Sequence, residues 1–229
     1  MMIKGLIFDM DGVLFDTELR YLDKKRAFFA QEEISCDDGL LMELRGLNPE
    51  ESFRKVIPGI DDNTMLILKE KYRKFKYESE DFYISSIFPE TADTLAVLYR
   101  QGYELALASS SPAFKIEKAL KQTNIEKYFS FYLSGDDFKR SKPSPDIYLE
   151  ACRRMKCEKS KIMVIEDSEY GIQAAKKAGL QVTARREYRY PVKQEKCDYA
   201  IRSLSELPEL LTEISKEKEY DSYYSNRTW

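Results

Sequence analysis

Apolar residues in this chain fall in short continuous runs separated by amphipathic stretches. Residues 3–8, 103–108, 129–133, 162–165 and 180–183 form runs of the kind that strands covered on both faces require. Between them, helical periodicity marks residues 91–101, 113–122, 145–155 and 168–178, with a last helix near 205–215. Strand and helix alternating in this way predict an α/β fold, a parallel sheet wrapped by helices. The punctuation agrees, since Gly102 and Gly179 close helices and Pro145 stands early in another.

The rhythm breaks once. Residues 18–85 hold no strand pattern, only amphipathic helical stretches at about 18–32, 37–45, 50–57 and 62–79, with turns at 46–49 and 57–59. The expected organisation is a core domain of residues 1–15 and 88–215, an inserted all-helical domain of residues 16–87, and a polar tail of residues 216–229 that ends in Trp229. Crossings between the two domains fall near 15–18 and 84–89. An insertion placed directly after the first strand is suited to act as a lid.

Composition narrows the function classes. A length of 229 residues at 43% hydrophobic content is ample for a packed core. The net charge of −3, from 37 basic and 40 acidic residues, gives no bulk attraction for nucleic acid or an anionic membrane. No apolar run approaches the roughly 20 residues that span a bilayer, and the first strand starts too early for a signal peptide. Cys36, Cys152, Cys157 and Cys197 form no Cys-x-x-Cys pair and read as reduced thiols. A cytoplasmic monomer is the expectation.

Histidine is absent altogether. That excludes imidazole triads and His-ligated zinc. Acid–base work falls to carboxylate, Lys, Tyr or Cys, and a metal site must be built from oxygens, which favours Mg²⁺.

Residues 8–17, Phe8-Asp9-Met10-Asp11-Gly12-Val13-Leu14-Phe15-Asp16-Thr17, carry the sharpest chemical signal. Asp9 and Asp11 stand where the first strand ends, and ligands of open α/β sheets bind at such ends. Paired carboxylates resist burial unless a cation or proton lies between them, although Asp-Gly also closes ordinary turns. Glu166-Asp167 repeats the arrangement after the run 162–165. If the two strands are neighbours, Asp9, Asp11, Glu166 and Asp167 meet around one hard cation such as Mg²⁺. Ser109 and Ser110, after the second strand, offer hydroxyls and N–H groups for a phosphate, or simply a helix cap. Lys142, in Ser141-Lys142-Pro143-Ser144-Pro145-Asp146, sits in a loop stiffened by prolines that can aim its ammonium.

With FDMDGVLFDT, ALASSS, SKPSPD and VIEDSEYGIQAAKKAGL in this order, the chain resembles the haloacid dehalogenase superfamily of phosphotransferases over residues 2–212. It is most similar to the group of β-phosphoglucomutases and small-metabolite phosphatases with a helical cap. The resemblance implies a Rossmann-like parallel sheet in strand order 5-4-1-2-3. By the same resemblance Asp9 is the nucleophile that forms an aspartyl-phosphate, and Asp11 is the general acid/base whose carbonyl also ligates Mg²⁺. Ser109 and Lys142 bind phosphate, Glu166 and Asp167 bind metal, and Arg45-Gly46 in the cap is a candidate substrate contact. Asp9 at its ordinary value of about 3.9 would be ionised at neutral pH, as a nucleophile must be.

The implied activity is Mg²⁺-dependent hydrolysis of a small phosphorylated metabolite. Sugar phosphomutase is the alternative, weakened by Tyr21 where the mutases carry a cap histidine, by the lack of their cap-loop arginine near Pro49, and by Pro112-Ala113 where they carry Lys-Asn. A silent binding protein is the other alternative, and it would have no need of Asp11.

Overall fold

The computed structural model describes residues 2–44, 47–75, 81–189 and 191–225, with side chains described as far as residue 216. The chain opens with β1 (Gly5–Phe8) and then leaves the sheet for five helices. These are α1 (Thr17–Gln31), α2 (Asp38–Glu43), α3 (Pro49–Val56), α4 (Asp62–Lys74) and α5 (Phe82–Ser86). It returns through α6 (Thr91–Arg100), β2 (Glu104–Ser109), α7 (Ala113–Gln122), β3 (Phe131–Ser134) and α8 (Asp146–Arg154). The last elements are β4 (Ile162–Glu166), α9 (Glu169–Lys177), β5 (Gln181–Arg185), β6 (Tyr199–Ile201) and α10 (Leu207–Ser225).

All strand pairs are parallel, in the order β3-β2-β1-β4-β5-β6. The expected order of five strands is present, and β6 adds one more at the edge. Two compact units result, Met1–Phe15 with Ile87–Trp229, and Asp16–Ser86. In the first, Ile7, Ala106, Val164 and Val182 of the sheet pack with Ile147, Tyr148 and Ala151 of α8 and Ile172 and Ala175 of α9. In the second, Phe28 of α1 is the hub, edge-on to Tyr72 and Phe75 and tilted against Phe53. Asn48 opens α3 with a reciprocal capping box to Glu51, and Asp37 and Asp61 cap α2 and α4, so local chemistry fixes these helix starts.

Two details depart from the periodicity. Strand β6 is only three residues long, too short for alternation to register. Helix α10 runs on to Ser225 rather than stopping near 215, because Lys and Glu are good helix formers and no glycine or proline interrupts them.

Sheet register sets the site. Phe8 is level with Leu107 of β2 and Ile165 of β4, so the next residue, Asp9, emerges between Ala108 and Glu166. Beyond it the chain turns sharply through Gly12 at φ +80°, where a side chain would be strained. Phe15 then bridges back to Asp11 and across to Ile87, while Phe88 N–H and the Thr91 hydroxyl both donate to Leu14 O.

Candidate active site

Four loops at the carboxyl ends of β1, β2, β3 and β4 converge with the start of α8. Asp9 is held by its own N–H, which donates to Ile165 O at 2.9 Å. Lys142, delivered by the loop ahead of α8, reaches across these ends. Its Nζ donates to Asp9 Oδ1 at 2.5 Å, to Glu166 Oε1 at 2.7 Å and to Ala108 O at 3.1 Å. The ammonium also lies 4.9 Å above the ring of Tyr148. Only 6% of the Lys142 side chain is exposed, so these charges meet with little water between them.

Glu166 is fully buried, and each of its oxygens is engaged. Oε1 accepts from Lys142 and from the Tyr148 hydroxyl at 2.8 Å. Oε2 accepts from Asp167 N–H, Ser168 N–H and the Ser168 hydroxyl, each at 3.0 Å. The Glu166 carboxylate, expected among the metal ligands, engages Lys142, Tyr148 and the backbone of Asp167 and Ser168 in this structure. Burial works to raise Glu166, but the Lys142 ammonium overrides it and holds the carboxyl below its ordinary value. Burial likewise works to lower Lys142, and the Asp9 and Glu166 carboxylates hold it well above the usual lysine range.

Asp9 behaves differently. Burial pushes it up to about 7 against the pull of Lys142, with the Glu166 and Asp11 charges adding to the rise. A cation beside Asp9 would oppose that rise and favour the ionised carboxylate.

Asp11 is partly buried and accepts from the Ser111 hydroxyl at 2.8 Å on Oδ2. Ser109, 1% exposed at the end of β2, accepts from Ser111 N–H at 3.0 Å, and Ser134 donates to Ser111 O at 2.9 Å. Ser110 is exposed, and its backbone lies against Gly135 so closely that a Cβ there would meet Ser110 O at 2.6 Å. Asp167 stands against the Asp11–Gly12 turn, where a Cβ on Gly12 would come within 2.0 Å of its Oδ2. Arg45 and Gly46 lie outside the described residues.

Three contributors escaped the sequence reading. Ser111 was hidden in a triplet of serines whose members only the fold distinguishes. Tyr148 looked like any aromatic on a helical face. Gln194, 2% exposed in the loop between β5 and β6, donates through Nε2 to Asp167 O and, at 3.0 Å, to Arg185 O. No sequence signal marks a lone glutamine in a polar loop.

Among the described residues no three His, Cys, Asp or Glu side chains close into a metal cage. Mg²⁺ does not ask for one, because it is commonly held by one or two carboxylates with water and substrate phosphate completing the shell. The Asp9 carboxylate, crowded by acids, and the Asp167 carboxylate, admitted by the bare Cα of Gly12, suit a hard cation. The donor set fits.

The model of the haloacid dehalogenase-like hydrolase family matches residues 6–185. A phosphorylated carbohydrates phosphatase of Thermotoga maritima is 30% identical over 182 residues, which span 78% of this chain and 83% of that protein. The phosphoglycolate phosphatase of Escherichia coli strain K12 is 30% identical over 199 residues, 77% of this chain and 79% of its own. Among solved structures, a candidate β-phosphoglucomutase from Thermotoga maritima superposes with a TM-score of 0.79 at 27% identity, covering 93% of this chain and 100% of that one.

Proposed function

The chain belongs to the haloacid dehalogenase-like hydrolase family, and on that footing we propose that it is a Mg²⁺-dependent phosphatase of a small phosphorylated metabolite. The observation that carries this reading is Lys142 seated between Asp9 and Glu166, with Asp11 held by Ser111 one turn away from the same strand end. Binding alone has no use for a second carboxylate kept in place beside the first.

In this reading an Asp9 carboxylate oxygen attacks phosphorus while the bond from phosphorus to the leaving oxygen breaks. Asp11 gives that oxygen a proton, so an alcohol departs and an aspartyl-phosphate remains. A water molecule then attacks the phosphorus and Asp11 takes its proton. Inorganic phosphate leaves, and Asp9 is restored. Lys142 offsets the repulsion between Asp9 and the incoming phosphate and spreads to the transferring oxygens. The Ser109 hydroxyl, whose oxygen already accepts from Ser111 N–H, has its own hydrogen to give a phosphate oxygen. Mg²⁺, held by Asp9, the Asp11 carbonyl and Asp167, would neutralise further charge on the phosphoryl group. Residues 16–86 form the cap in this scheme.

The test is hydrolysis of p-nitrophenyl phosphate, and of a panel of sugar phosphates, phosphoglycolate and nucleotides, with Mg²⁺ and with chelator. Asp9→Asn should abolish turnover. Asp11→Asn should retain phosphate binding and lose roughly 10²–10⁴-fold in rate. Turnover that survives Asp9→Asn at the parent level rejects the covalent route. Conversion of β-glucose 1-phosphate to its 6-phosphate isomer would assign a mutase instead.

A further inference from the structure

A second group of basic side chains lines a hollow on the core unit that includes neither Asp9 nor Lys142. Where the chain leaves β5 it passes Arg185, Arg186, Glu187, Tyr188 and Arg189, and with Phe88 and Arg202 these residues line a hollow of about 220 Å³. Four arginines therefore face one glutamate. Such a density of guanidinium is repulsive unless each group has a partner, so the partners decide what the hollow is for.

Two of the four are committed. Arg189 forks onto Glu187, with Nε 2.9 Å from Oε1 and Nη2 2.6 Å from Oε2. Arg185 stacks its guanidinium 3.5 Å over the Phe88 ring, pairs with Glu90 at 3.7 Å and reaches Gly12 O at 3.4 Å. The other two are not. Among the described residues no carboxylate pairs with the guanidinium of Arg186 or Arg202. Arg202 lies only over the Tyr188 ring at 6.0 Å, and Tyr188 itself is 68% exposed.

We propose that this hollow is a binding site for a phosphate-class anion, gripped by Arg186 and Arg202 and walled by Tyr188. Guanidinium suits this ligand because its planar fork matches two phosphate oxygens at once. At about 220 Å³ the hollow is below the range of drug-sized pockets and takes a phosphate group with a small part of what it esterifies. The rest of a larger ligand leaves through the open mouth past Tyr188. The site goes beyond the proposed hydrolysis and uses none of its residues. Arg185 is the shared element, since it lies in the hollow and touches Gly12 of the turn that carries Asp11.

The test is calorimetric titration of the parent and of an Arg186→Gln/Arg202→Gln variant with inorganic phosphate and, separately, with AMP, all without Mg²⁺. Phosphate binding at the catalytic loops is common to both proteins and cancels. The parent is expected to take up one more equivalent of anion than the variant, and added salt should weaken that equivalent. Tighter uptake of AMP than of phosphate assigns a phosphomonoester whose ring stacks on Tyr188, and equal uptake assigns the free anion. Equal stoichiometry and affinity in parent and variant overturn the proposal. Should the double variant melt earlier than the parent, Arg202→Glu, at an exposed position, provides the same comparison through a reversed charge.

Discussion

Lys142 donates to Glu166 Oε1 at 2.7 Å from inside a site that excludes water, and the two side chains are the least exposed ion pair around the nucleophile. Removing one member of a buried pair leaves the other uncompensated, which costs about 3–5 kcal/mol. Glu166→Ala would also strip acceptors from the Tyr148 hydroxyl and from the N–H groups of Asp167 and Ser168. Lys142 keeps Asp9 as a counter-charge in that variant, so urea unfolding should show Glu166→Ala less stable by up to about that amount. A loss under about 1 kcal/mol, the level of an exposed pair, would mean that the carboxylate is a ligand for something else.

Much of this arrangement was legible beforehand, and the limits have physical causes. Buried parallel strands read as apolar runs, so β1, β2 and β4 were visible, with the acidic ends of β1 and β4 and the serines after β2. Sequence cannot tell which oxygen of an acidic pair faces inward, and so Glu166 and Asp167 looked equivalent. The fold separates them: Glu166, the last residue of β4, points into the body under Tyr148, while Asp167 comes up against Gly12. Edge strand β6 and the loop before it were illegible for a different reason. Three residues carry no period, and polar loop residues such as Gln194 earn their place only by what lies near them.

Gln194 provides the next test. Its side-chain amide ties the Asp167 carbonyl to the Arg185 carbonyl, so it fixes the backbone that presents the Asp167 carboxylate. Residues one shell out from a metal commonly change its affinity by about 10–100-fold. Gln194→Ala should raise the Mg²⁺ concentration for half-maximal activity within that range and weaken Mg²⁺ binding measured directly by calorimetry. An unchanged Mg²⁺ requirement with lowered stability would reduce Gln194 to a loop fastener.

A pH effect is expected in the helical unit. Lys25 of α1 is 6% exposed and donates to Leu44 O at 2.7 Å and Leu47 O at 2.8 Å. Burial lowers its pKa, with Glu18 and Glu51 pulling it back up. Between that lowered value and the ordinary lysine value of 10.5, the unfolded chain binds the proton that the folded chain has released. Stability contributed through Lys25 therefore rises with pH across this window. Lys25→Met should remove that contribution, so the stability difference between parent and variant should shift in favour of the parent as pH climbs through the window. A difference that stays flat, read from urea midpoints, would show that Lys25 titrates alike in both states.

Gly171 gives a prediction whose sign is opposite to helix propensity. It lies in the first turn of α9, where replacing glycine by alanine ordinarily stabilises a helix by up to about 1 kcal/mol. Here a Cβ would stand 1.7 Å from Glu166 Oε1 and 2.3 Å from Oε2, inside the carboxylate that holds Lys142 and Tyr148. That carboxylate cannot swing away without breaking its bonds, because both oxygens are engaged and its surroundings are close-packed. Gly171→Ala should therefore destabilise the fold and lower turnover together, through displacement of Lys142 from Asp9. A stabilised variant with parent activity would mean that Glu166 has room to move and is not the fixed anchor of the site.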